Sequence, residues 1–155
     1  MRFIALFCAL MAWSAKADAQ VIDDNFRLSE VSNVNVSLTD DATGACWTNL
    51  KEVREYAEEK LRMKGVNVLE MNRGLAAFDY LKTYNFQIWV NAGRTFTDGS
   101  GACIGYIQVL LFTFAQVNNT THVAIAATNI SRAGHLENFN QYIIEKVSEL
   151  ISELK

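Results

Sequence analysis

Apolar and polar residues alternate over residues 33–38, with Val34, Val36 and Leu38 on one side and Asn33, Asn35 and Ser37 on the other. A period of two marks a half-buried strand. Residues 39–45 (TDDATGA) carry turn chemistry, and the period then changes. Trp47, Leu50, Val53, Ala57 and Leu61 form one apolar stripe, while Lys51, Glu52, Glu55, Glu58, Glu59 and Arg62 face the other way. That spacing predicts an amphipathic helix over 46–64. Gly65 stands where a helix-terminating glycine belongs.

Strand pattern resumes at 66–71 and again at 86–96, where Phe86, Ile88 and Val90 alternate with Gln87 and Asn91. Residues 72–84 fit either a loop with one helical turn or the run-in to the next strand. Residues 97–101 (TDGSG) predict a hairpin turn, because glycine tolerates the positive φ that tight turns need. The stretch 103–117 is apolar on both faces from Ile107 to Ala115, which predicts a central strand. A second turn at 118–121 (NNTT), a strand at 122–130, a loop at 131–134 and a helix over 136–154 complete the chain. Leu136, Phe139, Ile143, Val147, Leu150 and Leu154 make that helix's stripe. Ile144 and Ile151 widen it, either toward the core or as a seam for a partner.

The order is β-α-β-β-β-β-α. Sequential strands predict an α+β two-layer sandwich, with a mostly antiparallel sheet of about five strands and both helices on one face. The other face then needs an occupant. Trp89, Tyr106, Leu110, Phe112 and Phe114 form the candidate binding face there, depending on strand register.

The first residues have a different character. Arg2 precedes an apolar run (3–13) and a short stretch of mostly small residues (14–19), the layout of a secretory signal peptide. The run is about half the ~20 residues a membrane span requires. Cleavage after Ala17 or Ala19 would suit the pattern, the second being preferred; a buried N-terminal helix is the alternative. The expected organisation is therefore a signal peptide over 1–19 and one domain over 20–155, exported to the periplasm or beyond. No further stretch reads as a membrane span.

Formal net charge is −3 and proline is absent. Losing Arg2, Lys16 and Asp18 makes the chain one unit more negative. Such a domain makes a poor nucleic-acid binder. Cys8 would leave with the leader, and Cys46 and Cys103 would remain as an even pair, which in an exported chain predicts a disulfide. A metal site is the rival reading. It would have to recruit His122 and His135, whose spacing matches no zinc motif. No cofactor is expected.

Several segments also recur in order in a known group of proteins. They are EEKLRMKGVNV (58–68), AAFDYLKTYNFQIWV (76–90) with its Asp79-Tyr80-Leu81 run, the hairpin strand, and NQYIIEKVSELISELK (140–155). In these the chain resembles the small periplasmic α/β domains of ABC-transport auxiliary lipoproteins and related envelope-assembly components. The resemblance spans most of the mature chain and rests on apolar spacing. It implies a scaffold or accessory role and assigns no site residue. The chain departs from that group in lacking a lipobox cysteine and in carrying the Cys46/Cys103 pair.

Candidate chemistry is sparse. Asp40 and Asp41 are adjacent acids that could bind a cation or form an acid/base pair; beside a helix start they also suit a turn. The glycine-bearing stretch 98–105 leads into a strand and not a helix, so the helix N-terminus of a phosphate loop is missing. Arg73 and Arg94 lie beside loops, where they could meet an anion or make local salt bridges. Sequons begin at Asn35, Asn118, Asn119 and Asn129, and the bacterial look of the leader predicts no glycan.

These observations lead to a non-enzymatic binding or assembly module of the cell envelope. It would have a protein partner and a possible homo-oligomeric state. A small-molecule or lipid carrier, with the same aromatics lining a pocket between sheet and helices, is the alternative. An enzyme would need Asp40, Asp41, Arg94 or His122 to converge.

Overall fold

The structure is a computed structural model that describes residues 20–21, 26–69, 83–96, 98, 101–136 and 138–155; for 20, 21, 116, 117 and 134–136 it describes the backbone. The expected signal peptide, Arg73, and the Asp79-Tyr80-Leu81 run fall outside these residues.

In chain order the elements are β1 (Gln20–Val21), β2 (Asn33–Asp40), α1 (Leu50–Met63), β3 (Asn67–Val68), β4 (Thr83–Arg94), β5 (Cys103–Val117), β6 (Thr120–Leu136) and α2 (Phe139–Glu153). One six-stranded sheet has the order β1-β6-β5-β4-β2-β3. The β4-β5-β6 meander and the β1–β6 pair are antiparallel, whereas β2 runs parallel to both β3 and β4. The α+β expectation therefore holds with a mixed sheet. Long β5 is central, as its two-sided apolar pattern requires. Among the described residues the outermost strands, β1 and β3, are two residues long each.

Both helices cover one face. Val53, Ala57 and Leu61 of α1 and Phe139, Ile143, Val147 and Leu150 of α2 meet Val34, Val36, Phe86, Ile88, Val90, Ile107, Val109 and Leu111, all buried. Ile151 is buried and Ile144 packs against the same core, so the wide stripe of α2 serves the interior.

Helix boundaries depart from the sequence pattern for physical reasons. α1 begins at Leu50 instead of 46 because Gly44 and Ala45 take positive φ and Cys46 is held by its disulfide. Trp47 still reaches the core, from a loop. The α1 C-terminus closes with Gly65 at φ 86, its N–H donating to Arg62 O and that of Val66 to Leu61 O. This is the Schellman arrangement. α2 begins at Phe139 because β6 continues through Leu136, over the loop expected at 131–134 and the helix start expected at 136; Asn138 caps the helix by accepting from Gln141 N. Toward the C-terminus, Lys64 Nζ donates to Ser152 O and Leu154 O, and Leu28 N to Lys155 O.

The cysteine expectation is met. Cys46 and Cys103 form a disulfide across a sequence separation of 57, joining the loop before α1 to the start of β5. Arg94 braces the same corner, donating from Nε to Gly44 O (2.9 Å) and from Nη1 to Gly101 O (2.8 Å).

Candidate functional site

Strand alternation determines what the face away from the helices displays, open among the described residues. Phe86, Ile88 and Val90 lie under the helices, so Asn85, Gln87, Trp89 and Asn91 of β4 face away from them. The β5 partners of these four are Phe112, Leu110, Gln108 and Tyr106. Phe114 continues the row and pairs with Val123. All five candidate residues, Trp89, Tyr106, Leu110, Phe112 and Phe114, thus share one side of the sheet. They do not line a space between sheet and helices, which corrects the geometry on which the carrier alternative rested. The interior there is filled by fully buried side chains. A groove of about 280 Å³ does occur, open to solvent at Leu38, Leu50, Lys51 and Arg54, away from those aromatics.

The open face has two halves. On β2, β3 and β4 it is amide-rich: Asn67 Nδ2 donates to Asn33 Oδ1 (2.6 Å), Asn35 Nδ2 to Asn85 Oδ1 (3.3 Å), and Gln87 Nε2 to Thr39 Oγ1 (3.1 Å). On β5 and β6 it is largely apolar and solvent-exposed, with Gln108, Thr128 and Arg132 interspersed. Ile104, Ile125, Ile130 and Val123 are 41%, 41%, 49% and 58% exposed. They join Leu110, Phe112 and Phe114, the last two in edge contact with ring centroids 5.7 Å apart. Between the halves, Trp89 and Tyr106 meet edge-on at 5.5 Å, and Trp89 Nε1 donates to Asp41 Oδ2 at 2.6 Å.

Sequence reasoning missed Ile104, Val123, Ile125 and Ile130. The available signal was the alternation of Val123 and Ile125 with Ala124 and Ala126. It is broken by a register shift between Leu111 and Phe112, which puts Ala126 and Ala127 both in buried positions.

Among the described residues β5 pairs with β4 between Cys103 and Phe112, with Thr113 Oγ1 donating to Thr83 O, and its pairing with β6 continues to Val117 and Thr120, forming a hairpin arm. Asn118 and Asn119 close the arm with φ of 50 and 64. Positive φ at both central residues of a two-residue loop matches the twist of the strands it joins.

The residues considered for chemistry do not converge. Asp40 Oδ1 accepts from Ala42 N, while Asp41 engages Trp89. Arg94 is occupied by loop carbonyls at the disulfide corner. His122 pairs with Ala115 on the hairpin arm, at the other end of the sheet. His135 lies on β6 with its side chain outside the described part. Among the described residues no group of three or more His, Cys, Asp or Glu is placed to hold a metal ion. None of their helices is long and apolar enough to cross a membrane. Of the sequon asparagines, Asn129 is buried and Asn35 is bonded to Asn85.

No protein-family model matches the chain, and no curated protein matches it. Among solved structures it is similar to the PelC dodecamer from Paraburkholderia phytofirmans, at 17% identity and a TM-score of 0.47, over 84% of this chain and 93% of that one. A single-substitution form of that dodecamer gives 16% identity and a TM-score of 0.49, over 88% and 96%.

Proposed function

We propose that this protein is an exported, non-enzymatic binding or assembly module that acts through protein contacts made by the open face of its sheet. One observation carries the reading. A row of aliphatic and aromatic side chains on β5 and β6 stands in water on the face opposite the helices. Burying a Val, Ile or Phe side chain is favourable by about 1.5–3 kcal/mol, so a partner covering several of them gains substantially. Export is supported by the leader-like residues 1–19 and by the closed disulfide. A cell-envelope setting rests on the proposed likeness of residues 58–68, 76–90 and 140–155 to the periplasmic domains of ABC-transport auxiliary lipoproteins.

The test is site-specific photo-crosslinking in the native host. A benzophenone side chain at Val123 should form a protein adduct, and one at Glu55, on the solvent side of α1, should not. Val123→Asp, at a position outside the core, should leave the circular dichroism spectrum unchanged while abolishing the adduct from a benzophenone at Ile125. A Val123 probe that crosslinks no better than the Glu55 probe would remove the basis for the reading.

A further inference from the structure

Formal charge is distributed unevenly over this molecule. The helices carry most of it: α1 alone holds Lys51, Glu52, Arg54, Glu55, Glu58, Glu59, Lys60 and Arg62. Among the described side chains the open face carries one formal charge, Arg132 on β6, with Asp41 at its opposite rim beyond β2. The two stand at the same level of the sheet. Arg132 pairs with Tyr106, Tyr106 pairs with Asn91, and Asp41 N bonds Val90 O beside Asn91. Arg132 is exposed, and none of the ion pairs of the described residues includes it.

From β2 to β6 there are three strand spacings, so the backbones at Asp41 and Arg132 lie about 14 Å apart across the strands. Between them lie the edge-on rings of Trp89 and Tyr106. An extended chain advances about 3.3 Å per residue and covers the span in about four residues.

Resting on the reading above, we propose that this end of the open face receives an extended segment of the partner protein that crosses the strands. A basic side chain would meet Asp41, an acidic one would meet Arg132, and an apolar one would rest between them against Trp89 and Tyr106. Opposite charges at the two ends select the segment and set its register, while the apolar row on β5 and β6 supplies area. The carboxylate of Asp41 is oriented by Trp89 Nε1, so the aromatic and acidic parts of the site are held together.

The experiment uses the mature domain, labelled with ¹⁵N, and three capped peptides: Gly-Lys-Ser-Leu-Ser-Glu-Gly and its Lys/Lys and Glu/Glu counterparts. The Lys/Glu peptide should saturably shift the amides of Asn91, Tyr106 and Arg132 and the indole of Trp89. It should bind about five-fold tighter than either counterpart, the reach of one exposed ion pair. Arg132→Glu should transfer the preference to the Lys/Lys peptide. Asp41→Asn, which keeps an acceptor for Trp89 Nε1, should abolish the preference for Lys/Glu over Glu/Glu. Equal binding of all three peptides, no saturable shift with any, or the same shifts on raising the protein's own concentration (a second copy on the row) would each overturn the assignment. If Val123→Asp abolishes crosslinking in the host while Arg132→Glu leaves it intact, the open face is an interface and the charged row does not read the partner. If neither substitution affects crosslinking, the functional reading itself fails.

Discussion

Asn129 Nδ2, on the helix-facing side of β6, donates to Glu149 Oε2 of α2 at 3.1 Å, and Asn129 Oδ1 accepts from Ser131 Oγ at 2.7 Å. Asn129 is 1% exposed. Lys146 Nζ completes the chain of contacts on Glu149. A polar group this deep is tolerated because each of its bonding groups finds a partner, and removing one leaves another stranded.

Asn129→Ala should therefore lower stability by about 1–3 kcal/mol, since it strands the Ser131 hydroxyl as well as opening space. Ser131→Ala strands Asn129 Oδ1 but leaves Asn129 Nδ2 its bond to Glu149 and opens little space, so its effect should fall at the low end of that range, about 1 kcal/mol. Urea midpoints with unchanged slope would show this order. Equal losses would mean that the three side chains do not act as a chain.

The disulfide should contribute heavily. A bridge closing a loop of this length stabilises by roughly 4 kcal/mol in the chain-entropy model, a large share of a typical ~5–15 kcal/mol. The non-reduced protein should resist alkylation at Cys46 and Cys103 until it is unfolded and reduced. A Cys46→Ala/Cys103→Ala variant should unfold at much lower denaturant, with Trp47, next to Cys46 and buried, reporting the change by fluorescence. A midpoint equal to that of the parent would refute the expected share.

Gly105 and Gly65 should respond differently to alanine. A Cβ on Gly105 would strike Asn91 O and come within 2.7 Å of Ala92 Cβ, on the neighbouring strand β4. Gly105→Ala should cost about 1–3 kcal/mol, because the strands must separate to admit it. Gly65 has nothing within 4 Å of the added carbon, so Gly65→Ala should cost only the ~1–2 kcal/mol of its left-handed backbone. The distinguishing sign is in amide exchange, which should rise along β4 and β5 in Gly105→Ala alone.

The hairpin arm should depend on its tip. Asn118→Val with Asn119→Val places branched side chains at φ of 50 and 64 and should destabilise the arm by about 2 kcal/mol. Asn119→Gly should be neutral or favourable. Amide exchange at residues 113–124 measures both, and faster exchange with Asn119→Gly would contradict the turn assignment.

Much of this architecture was legible in short stretches of sequence. The alternation of Val34 and Val36 with Asn33 and Asn35, the stripe from Val53 to Leu61, Gly65 at the helix end and the Asn-Asn turn each depend on contacts within a few residues. Where tertiary structure intervened, local reading stopped. Residues 46–49 carry a helical pattern, yet the Cys46–Cys103 bond and the positive φ at Gly44 and Ala45 hold them out of the helix. Ser131, Arg132 and Ala133 carry no strand pattern of their own, and β5 supplies their hydrogen bonds.

The candidate face divides the same way. Chain order and periodicity placed Trp89, Tyr106, Leu110, Phe112 and Phe114 on strands, and hence on one of two sides, because successive side chains of a strand point in opposite directions whatever surrounds them. Which side the helices cover, that β2 lies parallel to β4, and that Asp41 and Arg132 mark two ends of one row are properties of pairing between segments far apart in the chain. A local pattern carries no term for such pairing: the free energy that selects it comes from burying both helix stripes against the same side of the sheet, and it exists only once the chain has closed upon itself.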